Sequence, residues 1–309
     1  MGGVLIQEQI DLILDSVPTL RGQERFVTPL RGGIANRNYL VDTSNKSFVL
    51  CIGSDNTELL GIDRSVEYAC SLAAAKLGVG TEVIDFLPEH RSIVMGYAPG
   101  RLLRPDDVQE PTVLARIVQA LRRYHDGPAG AGTFSPFGVI GDYYARAWNR
   151  QAAFPPIIGE AMARLAHIEE ALDSDMAPCP CHNDLLSSNL VDDGTTVRLI
   201  DWEYAGMGDR IFDLGNLAAN NDFDEAHERL LLELYFGELN PAQLVKLRLM
   251  RLVSDLRESM WGFLQAGISG LDYEFLHYGR THLDRFLTGS EAIRFGPVPT
   301  DTAPLTQPR

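Results

Sequence analysis

The chain has 309 residues, 45% hydrophobic and 22% charged, which supplies a core of ordinary size and excludes a disordered or low-complexity protein. Its 42 acidic against 27 basic side chains give a formal charge of −15, a field that repels nucleic acid and anionic membrane surfaces and gathers cationic small molecules. The opening carries no basic segment ahead of an apolar run, and no stretch reaches the roughly eighteen apolar residues of a membrane span, so a cytoplasmic location is expected.

In chain order, the first part reads as short β-rich segments at 26–30, 39–42, 47–52, 81–86 and 91–95, separated by turn residues. One helix interrupts them at 64–77, where Val66, Ala69, Cys70, Ala73 and Leu77 recur at helical spacing and Gly78 stops the run. A Gly- and Pro-bearing hinge at 95–100 follows. Beyond it the period changes to helical over 113–124, 143–153, 157–172, 224–236, 242–265 and 273–287. A single hairpin is set among these helices, 188–191 and 197–202 around the turn Asp192-Asp193-Gly194-Thr195. The expected division is 1–96, 97–295 and a Pro- and Thr-rich tail at 296–309. Four scattered cysteines, with Cys179 and Cys181 lacking the spacer of a zinc site, read as buried thiols.

The chemistry concentrates in His182-Asn183-Asp184-Leu185-Leu186-Ser187-Ser188-Asn189, followed twelve residues later by Asp201 at the end of an apolar run. Phosphoryl transfer asks for an oriented acceptor hydroxyl and for divalent metal against the phosphate oxygens. Asp184 suits the first task, and Asn189 and Asp201 offer the hard oxygen ligands that Mg²⁺ takes. Each residue alone has a plainer reading as a cap, a turn or a strand end; the H-x-D-x-x-x-x-N spacing with its trailing Asp is what joins them.

That segment, together with Asp201-Trp202-Glu203-Tyr204-Ala205 and Phe212-Asp213-Leu214-Gly215-Asn216, resembles the choline and ethanolamine kinases, in their bacterial branch, of the aminoglycoside phosphotransferase and protein-kinase-like superfamily. The resemblance implies an α+β, protein-kinase-like, two-lobed fold: a small antiparallel β-sheet N-lobe with one helix and a larger, mainly helical C-lobe. It implies ATP and Mg²⁺ as cofactors, Asp184 as the catalytic residue, Asn189 and Asp201 as metal ligands, and His182 and Asp213 as a brace. Gly32, Gly33, Asn36, Arg37 and Asn38 are similar to the family's nucleotide loop, and Ile62-Asp63-Arg64 with Glu67 to its first helix, and the same likeness implies that backbone groups of the hinge, at Met95 and Tyr97, face the base of the nucleotide. The helices carrying Trp261 and Tyr278 resemble the choline site, where these two rings, with Asp184 and Glu203, would hold a cationic acceptor.

Two departures stand out. Cys51 replaces the basic residue that the relatives carry on the third strand, leaving Arg37, Lys46 or Arg64 to grip phosphate, with Arg37 the preferred candidate. Leu264 stands where eukaryotic choline kinases have a second Trp, which keeps a larger antibiotic or sugar acceptor open, while Cys51 keeps open a non-catalytic nucleotide-binding protein. The oligomeric state is not encoded in any of these features.

Overall fold

The computed structural model describes residues 7–30, 36–54, 57–172, 177–291 and 293. Five antiparallel strands open the fold: β1 (Arg25–Pro29), β2 (Asn36–Thr43), β3 (Ser47–Gly53), β4 (Val83–Leu87) and β5 (Ser92–Gly96), in the order β1-β2-β3-β5-β4. Register fixes what each face carries. Tyr39 pairs with Leu50 and Val41 with Phe48, and these four side chains pack on one side with Ile52 and Val94. Asn38 pairs with Cys51, on the alternate face, together with Val49 and Met95.

The apolar side of the sheet is covered by α1 (Gln7–Ser16), which the sequence reading did not foresee. Its stripe of Ile10, Ile13, Leu14 and Val17 follows i, i+3, i+4, i+7, and Arg25 ties it to β1 through Asp15 at 2.8 Å and Asp11 at 3.2 Å. The small lobe therefore carries two helices where one was expected. The second, α2 (Arg64–Lys76), starts where Asp63 accepts from the Ser65 and Val66 amides and ends before Gly78 at φ +72°. Cys70 and Ala74 of α2 join the core of the large lobe, while Glu67 and Ser71 turn toward the space under the sheet.

After Gly96 the chain crosses to β6 (Arg101–Leu102), which pairs with the hairpin β8 (Leu190–Asp192) and β9 (Val197–Leu199). Gly100 holds φ +131°, and a Cβ there would meet the Asp192 carbonyl oxygen at 2.6 Å, so no side chain fits the crossing. The helices are α3 (Pro105–Gln109), α4 (Pro111–His125), α5 (Pro136–Asn149), α6 (Ile158–Ala171), α7 (Arg210–Asn220), α8 (Glu225–Phe236), α9 (Pro241–Ile268) and α10 (Phe275–Ser290). A further ladder joins β7 (Cys179–Cys181) to β10 (Gly206–Gly208). Among the described residues no helix is long and apolar enough to cross a membrane. The tail at 296–309 lies outside the described residues.

Expected and observed helices differ at α1, α3 and α7, which the expected set lacks, and at α5, which runs from Pro136 to Asn149 rather than over 143–153. Gly138 and Gly141 dilute the apolar period of α5, but Ser135 caps it by accepting from the Gly138 amide.

Helices α9 and α10 cross at Gly262 and Gly279. A Cβ on Gly262 would stand 2.8 Å from the Gly279 nitrogen and 2.9 Å from its Cα, backbone atoms that cannot swing aside. Gly262→Ala therefore sets a helix-propensity gain of about 1 kcal/mol against overpacking of about 1–3 kcal/mol. Destabilisation in urea is expected, whereas Gly141→Ala, with open space around it, is expected to stabilise. Equal midpoints for the two variants would show that the crossing is not close-packed.

Candidate active site

Strand β7 delivers His182, Asn183 and Asp184 to the base of the cleft. Asn183 sits at φ +65° and Asp201 at φ +66°, a left-handed region that side-chain-bearing residues seldom adopt unless their surroundings hold them there. The hold on Asn183 comes from Asp213, fully buried on α7. Its Oδ1 accepts the Asn183 amide at 2.6 Å, and its Oδ2 accepts the His182 amide at 2.8 Å and lies 2.9 Å from His125 Nε2. Asn216, one turn on, accepts the Leu185 amide at 2.5 Å and donates to Ser254 on α9 at 2.9 Å. Burial pushes the His182 pKa down, so the ring is neutral: Nε2 donates to the Ile200 carbonyl at 3.0 Å and Nδ1 accepts the Asp184 amide at 3.3 Å.

His125, Cys181 and Asp213 bring ligand atoms within 4.8 Å of one another, yet this cluster does not suit a metal. Both His125 nitrogens are engaged, Nε2 with Asp213 and Nδ1 with the Tyr235 hydroxyl at 2.6 Å, and the Asp213 carboxylate is filled by backbone amides. It is a hydrogen-bonded brace.

Asn189 donates from Nδ2 to the Asp184 carbonyl at 2.9 Å and to its Oδ2 at 3.2 Å, which turns its own Oδ1 the other way. Asp201 follows β9 by way of Ile200, whose amide donates to the Asn189 carbonyl at 3.0 Å. Asn189 and Asp201 line one cavity of about 250 Å³ between the lobes, walled opposite by Asn38, Val49, Cys51, Glu67, Met95 and Tyr97.

Negative charge accumulates around that cavity. Desolvation, then the neighbouring Glu67 and Asp184, push the Asp201 carboxyl up to about 7 against the pull of Arg64. Burial and then Asp201 and Glu67 raise Glu203 well above the usual carboxylate range. Asp184 is raised by burial, with Arg257 pulling it back. Among the described residues, Glu67, Asp184, Asp201, Glu203 and Glu258 meet two guanidinium groups, Arg64 and Arg257, in this region. The Asp201 carboxyl, pushed up to about 7 by burial and then by neighbouring carboxylates, and the Asn189 amide oxygen are hard donors lining one cavity, a set that fits a divalent cation.

Arg257 and Glu258 are functional candidates that the sequence reading passed over. Arg257 is 1% exposed, donates from Nη1 to Asp184 Oδ1 at 3.0 Å and to Glu258 Oε1 at 2.6 Å, and lies 4.4 Å over the Tyr204 ring. Tyr278 donates to Glu258 Oε2 at 2.7 Å, and its ring meets Trp261 edge-on at 5.6 Å. The signal was present: two charged residues inside the apolar run of α9, at positions its periodicity buries.

The other expected residues divide. Asn38, Glu67, Met95 and Tyr97 line the cavity. Gly32 and Gly33 lie outside the described residues. Asn36, paired with Gly53 on the cleft face of the sheet, donates to Glu203 at 2.9 Å and accepts from Arg64 at 2.5 Å, bridging two side chains. Arg37 requires a correction: it pairs with Ile52, on the face of the sheet covered by α1, because alternate residues of a strand point to opposite faces.

A model of the phosphotransferase enzyme family matches residues 27–245. The chain is 26% identical to Protein LicA of Haemophilus influenzae over 214 residues, 68% of this chain and 62% of that protein, so it spans less than two thirds of that relative's length. It is 22% identical to the choline/ethanolamine kinase of Rattus norvegicus, over 84% of this chain and 79% of that one. The crystal structure of a choline/ethanolamine kinase family protein from Mesorhizobium loti superposes with a TM-score of 0.81 at 26% identity, covering 93% of this chain and 95% of that chain. The fold is thus that of the protein-kinase-like, two-lobed α+β proteins.

Asp213→Ala removes the acceptor of two buried amides and of His125, and destabilisation by about 2–5 kcal/mol is expected in chemical denaturation. A loss below about 0.5 kcal/mol would show that the loop holds its left-handed turn without this carboxylate.

Proposed function

We propose that this chain, which belongs to the phosphotransferase enzyme family, is an ATP- and Mg²⁺-dependent kinase that phosphorylates the hydroxyl of a small cationic amino alcohol such as choline or ethanolamine. The observation that carries the reading is the hydrogen-bonded line from Asp184 through Arg257 and Glu258 to Tyr278 and Trp261, joining the edge of the cavity to an aromatic wall.

In this reading the cavity takes the nucleotide, with its base toward Met95 and Tyr97 and its phosphates toward Asn189 and Asp201. Asn189 and Asp201 would hold Mg²⁺, which when bound offsets charge on the phosphate oxygens. Asp184 receives the hydroxyl proton as the acceptor oxygen forms its bond to the γ-phosphorus and the bond to the β-bridging oxygen breaks, releasing ADP. Arg257 favours the ionised form of Asp184 and holds its Oδ1, while Oδ2, which accepts from Asn189 Nδ2 at 3.2 Å, is the oxygen that would take the acceptor's proton.

The acceptor's charge follows from the same residues. Asp184 and Glu258 share one guanidinium, a net of one negative charge, and a monocation balances it. Trp261 and Tyr278 present partly exposed rings to such a cation, and Tyr273 stands 6.3 Å from Tyr278 as a third. Leu264 is wholly buried, so the loss of a second Trp there does not open the wall.

The neutral Cys51 favours one other reading, a nucleotide-binding protein without turnover. ADP release with ATP, Mg²⁺ and a panel of choline, ethanolamine, amino sugars and aminoglycosides separates the two. Turnover is expected with the amino alcohols, reduced about 10²–10⁴-fold in Asp184→Ala. Turnover confined to sugars or antibiotics would sink the acceptor assignment, and no turnover would favour the binder. Arg257→Met should also move the acid limb of kcat/KM. Arg257 favours ionised Asp184, so its removal raises the Asp184 pKa and the limb shifts to higher pH. An unmoved limb would separate Arg257 from the proton acceptor.

A further inference from the structure

We propose that Arg64, reaching in from the first turn of α2, is the cation that grips the nucleotide phosphates in place of a strand residue; the inference rests on the phosphotransferase reading above. A triphosphate entering this cavity meets Glu67 and Asp201 in its walls and Glu203 behind them, so part of its charge must be met by the protein as well as by metal. Cys51 cannot do this. Burial, then Glu67 and Asp201, push its thiol pKa well up, and it stays neutral.

Arg64 is placed to do so by a detail of β3. Residues 51 and 53 share one face of the strand, and position 53 is glycine. A Cβ on Gly53 would stand 2.5 Å from Arg64 Nη2, 2.7 Å from Nε and 2.8 Å from Cζ, so the guanidinium lies flat in the space that a side chain would fill. The strand thus carries a positive charge on its cleft face without owning it. Cys51 lies close enough for the two groups to perturb each other's titration.

The hydrogen bonds of Arg64 leave it incomplete. Nη1 pairs with Glu67 at 2.5 Å and lies 3.8 Å from Glu203, and Nη2 donates to Asn36 at 2.5 Å. Nε is buried and has no partner among the described residues, in a side chain only 10% exposed. A buried donor without an acceptor is costly, and a phosphate oxygen would satisfy it. Other described cations do not serve: Arg37 faces α1, and Lys46 is exposed and paired with Glu82 at 3.2 Å.

One consequence separates this arrangement from a strand cation. Arg64 and Glu67 belong to the same helix, three residues apart, so their ion pair does not tie helix to strand. The tie runs instead through Asn36 on β2 and Glu203 of the large lobe, and phosphate binding would draw Arg64 toward the nucleotide and away from Glu203.

The test is calorimetric binding of ATP, ADP and adenosine to wild type, Arg64→Met, Arg64→Met/Cys51→Lys and Gly53→Ala. Arg64→Met should weaken ATP and ADP at least tenfold and leave adenosine within about twofold. The added lysine should recover most of that loss, because it restores a cation on the same face. Gly53→Ala, whose methyl would displace the Arg64 guanidinium, should weaken ATP in the same sense. Unchanged ATP binding in Arg64→Met, or equal losses for ATP and adenosine without recovery in the double variant, would overturn the assignment. A wild-type protein that binds neither ATP nor GTP would instead overturn the phosphotransferase reading itself, and this assignment with it.

Discussion

Like charges crowded into a partly dry cleft are the constraint on which the rest of the molecule depends. Burial raises the proton affinity of Glu67, Asp184, Asp201 and Glu203, neighbouring carboxylates raise that of the last three further, and the two guanidinium groups nearby do not cancel the effect. Such an arrangement is unfavourable in isolation, and it is held by the Arg64 guanidinium on Glu67, the Arg257 guanidinium on Asp184 and the Asn36 amide on Glu203. A divalent cation and a bound cationic acceptor would relieve it from two sides. The strain is thus placed where binding removes it.

The fixing is done from behind the cleft. Asp213 and Asn216 on α7 fasten three amides of the catalytic loop, Asn216 reaches α9 through Ser254, and α9 supplies Arg257 to Asp184. One helix pair therefore positions both Asp184 and its counter-charge. The close crossing at Gly262 and Gly279 then sets α10 so that Tyr278 reaches Glu258. Asp184, Arg257, Glu258 and Tyr278 form one hydrogen-bonded unit, whereas Asn36 of the sheet and Arg64 of α2 reach the large lobe at Glu203.

Much of this was legible in the sequence where a single local rule applied. Strand segments and long helices announced themselves by period, and the loop containing Asp184, Asn189 and Asp201 by spacing. What escaped needed knowledge of a partner distant in the chain. The stripe on α1 was readable, but only the sheet it covers makes it a core helix. Arg37 carried the right charge, and the register that points it away from the cavity is set by β3. Arg64 could not be preferred over it until Gly53 was seen to leave room for a guanidinium. Arg257 and Glu258 sat inside a helix whose period buries them, and their meaning depends on Asp184, more than seventy residues earlier.

The central claim is that Asp184, Asn189 and Asp201 converge on a divalent ion beside a bound triphosphate. It is tested most directly by a crystal structure grown with Mn²⁺ and a non-hydrolysable ATP analogue, with the metal located by its anomalous scattering. The account predicts an anomalous peak bonded to Asn189 Oδ1 and an Asp201 oxygen and bridging to the phosphates. A triphosphate bound in the cleft with metal on neither side chain, or Mn²⁺ held instead at His125, Cys181 and Asp213, would contradict it.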